Sequence, residues 1–438
     1  MKKFIESISN VWKIEELKNR ILITLGLLLV YRFGAHVTLP GIDATQLTGL
    51  AGQTKNGLGS ILDMFTGGAF SKASVFALGI MPYISASIVV QLMGIAIPYL
   101  QKLQNDGESG RKKINQITRW LTIAITLVQG PTYIYNLYRT LPSNAFLLGF
   151  NSPEFLFSSV IILVTGTIFA MWLGEKITDK GIGNGISLLI MVGILARLPQ
   201  AFIQEFTTRV TNNNGGPMLL VIEIIVWLLV IISCVLLTMA VRRIPVQYAR
   251  RTTTGDYEQD LAGGNRQWIP LKLNASGVMP IIFAQAIMFI PAAVAGLSKS
   301  DTSQSIVGAF SNMFGFWYNF VFATLIIVFT FFYTAITVPT NKMADDLKRS
   351  GGFIPGVRPG AETSDFLDKV MSLITFPGSL FLALIAVFPA IVVSIMDVQQ
   401  SWAMFFGGTS LIIMVGVAID TIQQINSYLL NKHYDGLM

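Results

Sequence analysis

The sequence predicts an all-α polytopic membrane protein with ten transmembrane helices, which an internal echo taken up below divides into two inverted five-helix halves. Three observations carry that prediction. Of the 438 residues, 52% are hydrophobic and 13% charged, whereas a soluble domain carries about 25% charged residues because its surface faces water. Ten mainly apolar runs recur along the chain, each near the length of about 20 residues that crosses a hydrocarbon core. The basic residues between those runs fall almost entirely on one side once the runs are threaded back and forth.

Taken in order, segment 1–20 mixes charged and apolar residues, and no A-x-A-like cleavage site follows the first apolar run. It therefore reads as a membrane-flanking segment and not as a cleaved signal. Runs near 21–39, 74–100, 119–139, 154–173 and 186–206 make the N-terminal half, 21–206. Runs near 218–241, 274–297, 317–340, 369–395 and 401–420 make the C-terminal half, 207–420, and 421–438 is a tail. Backbone groups in lipid must be satisfied within their own segment, so each run is expected to be a helix.

An even number of spans puts both termini on one side. With that side taken as cytoplasmic, segments 1–20, 101–119, 174–185, 242–273 and 341–369 and the tail hold 24 of the 31 Lys and Arg. Only Arg32, Lys55, Lys72, Arg139, Arg197, Arg209 and Lys299 lie on the other side. This is the positive-inside pattern, and it places both termini in the cytoplasm. It also accounts for the net charge of +7 without invoking nucleic acid.

Several chemistries are excluded. The one cysteine, Cys234, lies in an apolar run, and the two histidines, His36 and His433, lie near opposite ends of the chain. No internal disulfide, metal site or cofactor is expected. Glu175, Glu223, Asp397 and Asp420 fall near the ends of spans, while ion-coupled carriers and proton pumps need charge at mid-membrane. Neither histidine is placed to act as base for a buried serine nucleophile, so no catalytic residue is assigned.

Three features depart from a plain bundle. Between the first two spans, at 40–73, lies a short glycine-containing run, 59–70 (GSILDMFTGGAF). It is too short to span and reads either as a re-entrant element walled by protein or as an amphipathic outer loop. The second feature is an internal echo: Gly79-Ile-Met-Pro82 opens the second span and Gly277-Val-Met-Pro280 opens the seventh. These spans run in opposite directions, as in an inverted repeat whose functional pathway lies between the halves. The third is a supply of small residues on those spans: Gly79, Ser85, Ala86 and Ser87, then Ala284, Ala286, Ala292 and Ala293. Small residues let helices approach closely, and a passage of this character can be sealed by dewetting at a hydrophobic constriction.

Five stretches carry a resemblance: 77–87 (ALGIMPYISAS), 107–111 (GESGR), 181–187 (GIGNGIS), 355–360 (PGVRPG) and 407–410 (GGTS). In these motifs, their order, its span count and its loop sizes, the chain resembles the SecY family over essentially its whole length. The resemblance implies a passive protein-conducting channel in the bacterial cytoplasmic membrane. Such a channel passes unfolded secretory proteins and releases hydrophobic helices sideways into lipid. It further implies a constricting ring at Ile80, Ile84, Ile186, Ile190, Ile282 and Ile413, and a plug around 59–70 with Ile61, Leu62, Asp63, Met64 and Phe65. A lateral gate is implied at Ser87, Gln91, Pro280, Gln285 and Ile290. Two of the ring pairs have i,i+4 spacing, which puts each pair on one helix face. The G-x-G-x-G at 181–185 follows no strand and is not a nucleotide loop.

The loops at 242–273 and 341–369 are longer than two helices need for a connection. Their Arg242, Arg243, Arg250 and Arg251, and Lys348, Arg349 and Arg358, serve topology, docking or both. Exposed Arg and Lys suit the phosphates of ribosomal RNA. The implied partners are the ribosome, the motor ATPase SecA, the small subunits SecE and SecG, signal peptides and nascent membrane proteins, and membrane lipid. The tail carries only Lys432 as a basic residue, which leaves it little to offer as a basic docking arm. The rival readings are a small-solute secondary transporter with inverted repeats and a membrane scaffold.

Overall fold

A computed structural model describes residues 12, 14–47, 58–146, 152–211, 216–248, 267–295 and 313–435. The first half holds α1 (Glu15–Gly34), the short α2 (Leu58–Phe65), α3 (Met81–Ala96) with α4 (Pro98–Asn105), α5 (Gly107–Thr140), α6 (Pro153–Lys180) and α7 (Gly185–Thr211). The second half holds α8 (Gly216–Met239), strands β1 (Val241–Tyr248) and β2 (Gln267–Lys272), α9 (Met279–Ala295) and α10 (Phe316–Thr337). It continues with α11 (Thr340–Arg349), β3 (Gly352–Phe353), α12 (Ala361–Met396), α13 (Gln400–Ala403) and α14 (Gly408–Asp435). The ten predicted spans correspond to α1, α3, α5, α6, α7, α8, α9, α10, α12 and α14.

Length and apolarity are sufficient for a crossing, taken helix by helix, in α6, α7, α8, α10, α12 and α14. A bent pair, α3 with α4, meets the same standard, and α9 contributes the shorter apolar stretch Met279–Met288. The surface of α8 makes the environment plain. Its mean hydropathy is 3.1, yet only 17% of that window is buried. Such an apolar face left outward is tolerable in lipid and not in water. Along α5 the buried threonines are satisfied locally: Thr118, Thr122 and Thr126 each donate to the carbonyl four residues back, at 2.9, 2.7 and 2.7 Å.

Several boundaries differ from those read in the sequence. The second span begins at Met81 and not at 74, because Gly79 takes a left-handed φ of 53° that ends one chain direction and starts another. It breaks again at Ile97, where Pro98 forces its predecessor into extended backbone (φ −106°, ψ 114°), and the two pieces meet at 105°. The third span starts at Gly107, so the polar 107–118 stretch is helix and not loop. The last span starts at Gly408 and runs through much of the expected tail to Asp435. Residues 401–407 instead finish α13 and form a buried turn.

The fold is also not purely helical. The 242–273 loop supplies β1 and β2, paired antiparallel from Val241↔Lys272 to Val246↔Gln267. β3, from the 341–369 loop, adds to the other edge of β1 through Gln247↔Phe353 and Tyr248↔Gly352. The sheet, in the order β2-β1-β3, covers a small core of Ile244, Val246, Leu271, Leu347, Leu367 and Met371 with α11 and the start of α12.

Within the first half α3 packs on α5, α5 on α6 and α6 on α7; within the second α9 packs on α10, α10 on α12 and α12 on α14. The halves meet chiefly along α7, which lies against α8, α13 and α14. One apolar cluster spans that seam, drawing Ile80, Leu189, Ile190 and Ile194 from the first half together with Val392, Trp402, Phe406 and Ile413 from the second.

Candidate functional site

The Gly-x-Met-Pro echo sets the geometry. Gly79 and Gly277 adopt nearly the same left-handed backbone, φ 53° and 63°. L-residues with a Cβ resist that conformation and glycine does not. A helix starts two residues later in each case, at Met81 and at Met279, with proline at the second helical residue. Proline is tolerated there because the first turn has no partner for its missing N–H. Five residues after each glycine stand Ile84 and Ile282, so the repeat delivers one isoleucine from each half at the same depth of its helix.

The six candidate ring residues lie in a single apolar cluster. Ile80, Ile190 and Ile413 are buried in it, and Ile84, Ile186 and Ile282 are half-buried against it. Ile80 is the residue before α3, Ile186 and Ile190 belong to the first two turns of α7, Ile282 to α9 and Ile413 to α14. Met64 and Phe65, from the end of α2, join the same cluster.

The segment from α2 through Ile80 is seated by specific contacts. Asp63 is buried; its carboxylate accepts the Ser71 N–H at 2.8 Å and pairs with the Arg197 guanidinium of α7. Arg197 also donates to Ser71 Oγ at 3.0 Å, and Arg32 of α1 donates to the Gly67 carbonyl at 2.7 Å. Tyr133 of α5 donates to the Phe70 carbonyl at 2.8 Å. Backbone meets backbone at the centre of this seat. A Cβ on Gly193 of α7 would lie 2.7 Å from the Phe65 carbonyl oxygen, and one on Gly67 would lie 2.8 Å from the Gly193 Cα. Gly193 stands one turn beyond Ile190, so the seated segment rests directly next to the isoleucine cluster. Lys72, in the turns after α2, is held below the usual amine range first by burial and then by the Arg32 charge.

Of the other candidate plug residues, Leu62 is half-buried, and the side chain of Ile61 lies outside the described residues. Among the candidate gate residues, Ser87 and Gln91 are one turn apart on α3, with Gln91 Nε2 donating to Ser87 Oγ at 3.2 Å. Pro280 and Gln285 are buried in α9, and the Ile290 side chain lies outside the described residues. Arg242 and Arg243 are exposed on β1, Lys348 and Arg349 in the last turn of α11. Arg358 has a side chain 86% exposed, 3.8 Å from Glu362. The pairing of β1 with β3 joins these two groups into one basic platform. Arg250 and Arg251 lie outside the described residues.

Sequence reasoning missed the seating of the 63–71 segment and two other features. Arg32 and Arg197 entered only as exceptions to the charge asymmetry, yet both hold the 63–71 segment. A basic residue on the depleted side, inside or beside an apolar run, was the available signal. Arg209, read as an outer loop residue, is buried near the end of α7. It donates to Glu205 at 2.8 Å, pairs with Glu223 of α8 at 2.8 Å and donates to the Met396 carbonyl at 2.8 Å. The cluster therefore ties α7 to α8 and to the end of α12. α13 brings Trp402 against Phe202 and Trp227, and in the buried turn after it the Phe405 carbonyl accepts from Trp227 Nε1 at 2.9 Å.

Comparison with known proteins follows the same outline. The family model described as SecY matches residues 74–422. The chain is similar to the protein translocase subunit SecY of Haemophilus influenzae, at 40% identity over 97% of this chain and 94% of the relative. It is likewise similar to the protein translocase subunit SecY of Streptomyces scabiei, at 38% identity over 98% and 99%. Among solved structures it resembles one reported for the role of the SecY plug domain in stabilising the closed translocation channel and maintaining a membrane seal. That match has a TM-score of 0.63 and 18% identity, over 94% of this chain and 92% of the other.

Proposed function

This chain belongs to the SecY family, and on that premise we propose how its own residues work as a protein-conducting channel. It is the channel subunit of a protein translocase and not an enzyme: it passes unfolded polypeptide across a membrane and releases hydrophobic helices into lipid. The seal is the ring of Ile80, Ile84, Ile186, Ile190, Ile282 and Ile413. Isoleucine offers no hydrogen bond to water or ions, so a narrow collar of it dewets and blocks ions without a charged gate. The collar also grips no particular substrate, which suits a passage for many sequences. The observation that carries the reading is that all six, drawn from four helices and the residue that precedes one of them and from both halves, converge in one apolar cluster with Met64 and Phe65.

Segment 59–70 is the plug, and the Asp63–Arg197 pair with the Arg32 hydrogen bond to Gly67 is its catch. Both are single polar links that an entering polypeptide can break. α3 and α9 are the lateral gate helices, packed on α5 and α10 within their own halves and free to separate as those halves rotate about the α7 seam. The two halves are residues 21–206 and 207–420. The membrane is the bacterial cytoplasmic membrane, with both termini and the basic platform on the cytoplasmic side. That platform docks the ribosome and SecA, which supply the driving force, and SecE and SecG complete the complex. Ion conductance of the reconstituted complex tests the seal. Wild type is expected to stay closed, and Ile84→Asn and Ile282→Asn to leak, since an amide in the collar holds water there. Tight bilayers with both folded variants sink the ring assignment.

A further inference from the structure

One buried polar group has no partner in the seal, the plug or the seam. Gln285 of α9, three residues after Ile282, is 6% exposed, and its Oε1 is enclosed without a hydrogen bond among the described residues. Buried amides are almost always bonded. This one lines a cavity of about 40 Å³ inside the second half, between α9, α10, α12 and the start of α14. The volume exceeds the space one water needs.

The chemistry of the walls narrows the occupant. None of the lining residues is charged, and much of the lining is apolar, including Met313, Phe322, Pro389 and Met404. The polar groups there include the hydroxyls of Tyr318 and Thr409 together with several spare acceptors. Asn319 gives both Nδ2 hydrogens to the carbonyls of Met313 and Gly315, at 3.0 and 2.9 Å, so only its Oδ1 remains. Ser410 sends its hydroxyl hydrogen to the Met404 and Gly407 carbonyls, so it too offers an acceptor. With Gln285 Oε1 these make three acceptors facing an apolar chamber. A cation would enter without a counter-charge, which is costly in such surroundings. A neutral molecule with a hydrogen-bond donor and a short apolar body fits both walls and polar groups.

We propose that this cavity is a binding site for a small neutral amphiphile, an alcohol or primary amide, whose donor bonds Gln285. Because the walls come from α10, α12 and α14 as well as α9, an occupant braces α9 against the rest of its half. Resting on the reading of α9 as a gate helix, occupancy slows the lateral opening of the channel.

The test uses the intact translocase in nanodiscs with 4,4,4-trifluorobutyramide as probe, read by ¹⁹F line broadening. Saturable broadening is expected with wild type, at least tenfold weaker apparent affinity with Gln285→Leu, and none with Ala390→Leu, which fills the chamber. On wild type alone, butyramide is expected to displace the probe and N,N-dimethylbutyramide, which has no donor, is not. Equal displacement by both, or no saturable broadening, overturns the site even where a variant fails to fold. Translocation rate with and without butyramide is a separate arm: binding without slowing removes the gating consequence and leaves the site.

Discussion

Gly193→Ala isolates the seating of the proposed plug. The new Cβ would lie 2.7 Å from the Phe65 carbonyl oxygen and 3.3 Å from the Gly67 N–H nitrogen. These are backbone atoms, so no side chain can swing aside. Restoring an ordinary contact needs the 65–67 backbone to retreat by about 0.7 Å, and overpacking of that kind costs about 1–3 kcal/mol. Against this, alanine in a helix interior gains about 1 kcal/mol over glycine. The two effects act on different equilibria. The propensity gain stabilises α7 whether or not the plug is seated, while the clash falls only on the seated state. Global stability is therefore expected to change little, while the seated population drops by about tenfold for each 1.4 kcal/mol of clash. Single-channel recordings of the reconstituted complex without substrate should show openings about five to a hundred times more frequent than wild type. Gly26→Ala, where an added Cβ meets nothing within 4 Å, is the control and should stay closed. A Gly193→Ala channel as quiet as the control refutes the claim that this close approach holds the plug.

Three further outcomes are expected. Arg197→Gln leaves the buried Asp63 carboxylate without its cation, so leak should rise; Arg197→Gln/Asp63→Asn should recover part of the seal, and a double variant leakier than the single one removes the pair from the account. Gly79→Ala and Gly277→Ala both force a left-handed alanine, at about 1–2 kcal/mol. Gly79→Ala should lower the thermal midpoint more, because its Cβ meets Thr66 Cγ2 at 2.9 Å while Gly277 has open space; the reverse order contradicts the geometry. Arg209→Leu strips the cation from buried Glu205 and Glu223 and should destabilise by about 3–5 kcal/mol, with Arg209→Leu/Glu205→Leu/Glu223→Leu recovering much of it in denaturant unfolding.

The spans were legible because lipid imposes a length of apolar residues that no other environment demands, and the charge asymmetry followed from the same threading. The echo at Gly79 and Gly277 was legible as a repeat, though its shared left-handed backbone was not. What the sequence concealed were pairings across long separations. Asp63 and Arg197 are 134 positions apart (197 − 63), and nothing local marks either as the other's partner. The turn around Trp402 was absorbed into the last span because a buried aromatic segment and a lipid-facing helix are equally apolar. In a soluble protein the polar face of a helix reveals which side packs inward. Here both faces are apolar, so hydropathy locates the helix and leaves its neighbours unspecified. For the candidate site, the resemblance supplied residue names, and the hydrogen bonds that seat 63–71 came only from the structure.

The pairing of β1 has a mechanical consequence. One strand is bonded on one edge to β2 and on the other to β3, so the two protruding loops are not independent handles. A push or pull delivered to either is carried by the same strand. β1 begins two residues after α8 ends, and Leu273, just beyond β2, donates to the Ala240 carbonyl at 2.9 Å on the way to α9. Load applied at the platform is thus passed in shear to the roots of α8 and α9 together. Any partner that leaned on either loop would lean on the same lever.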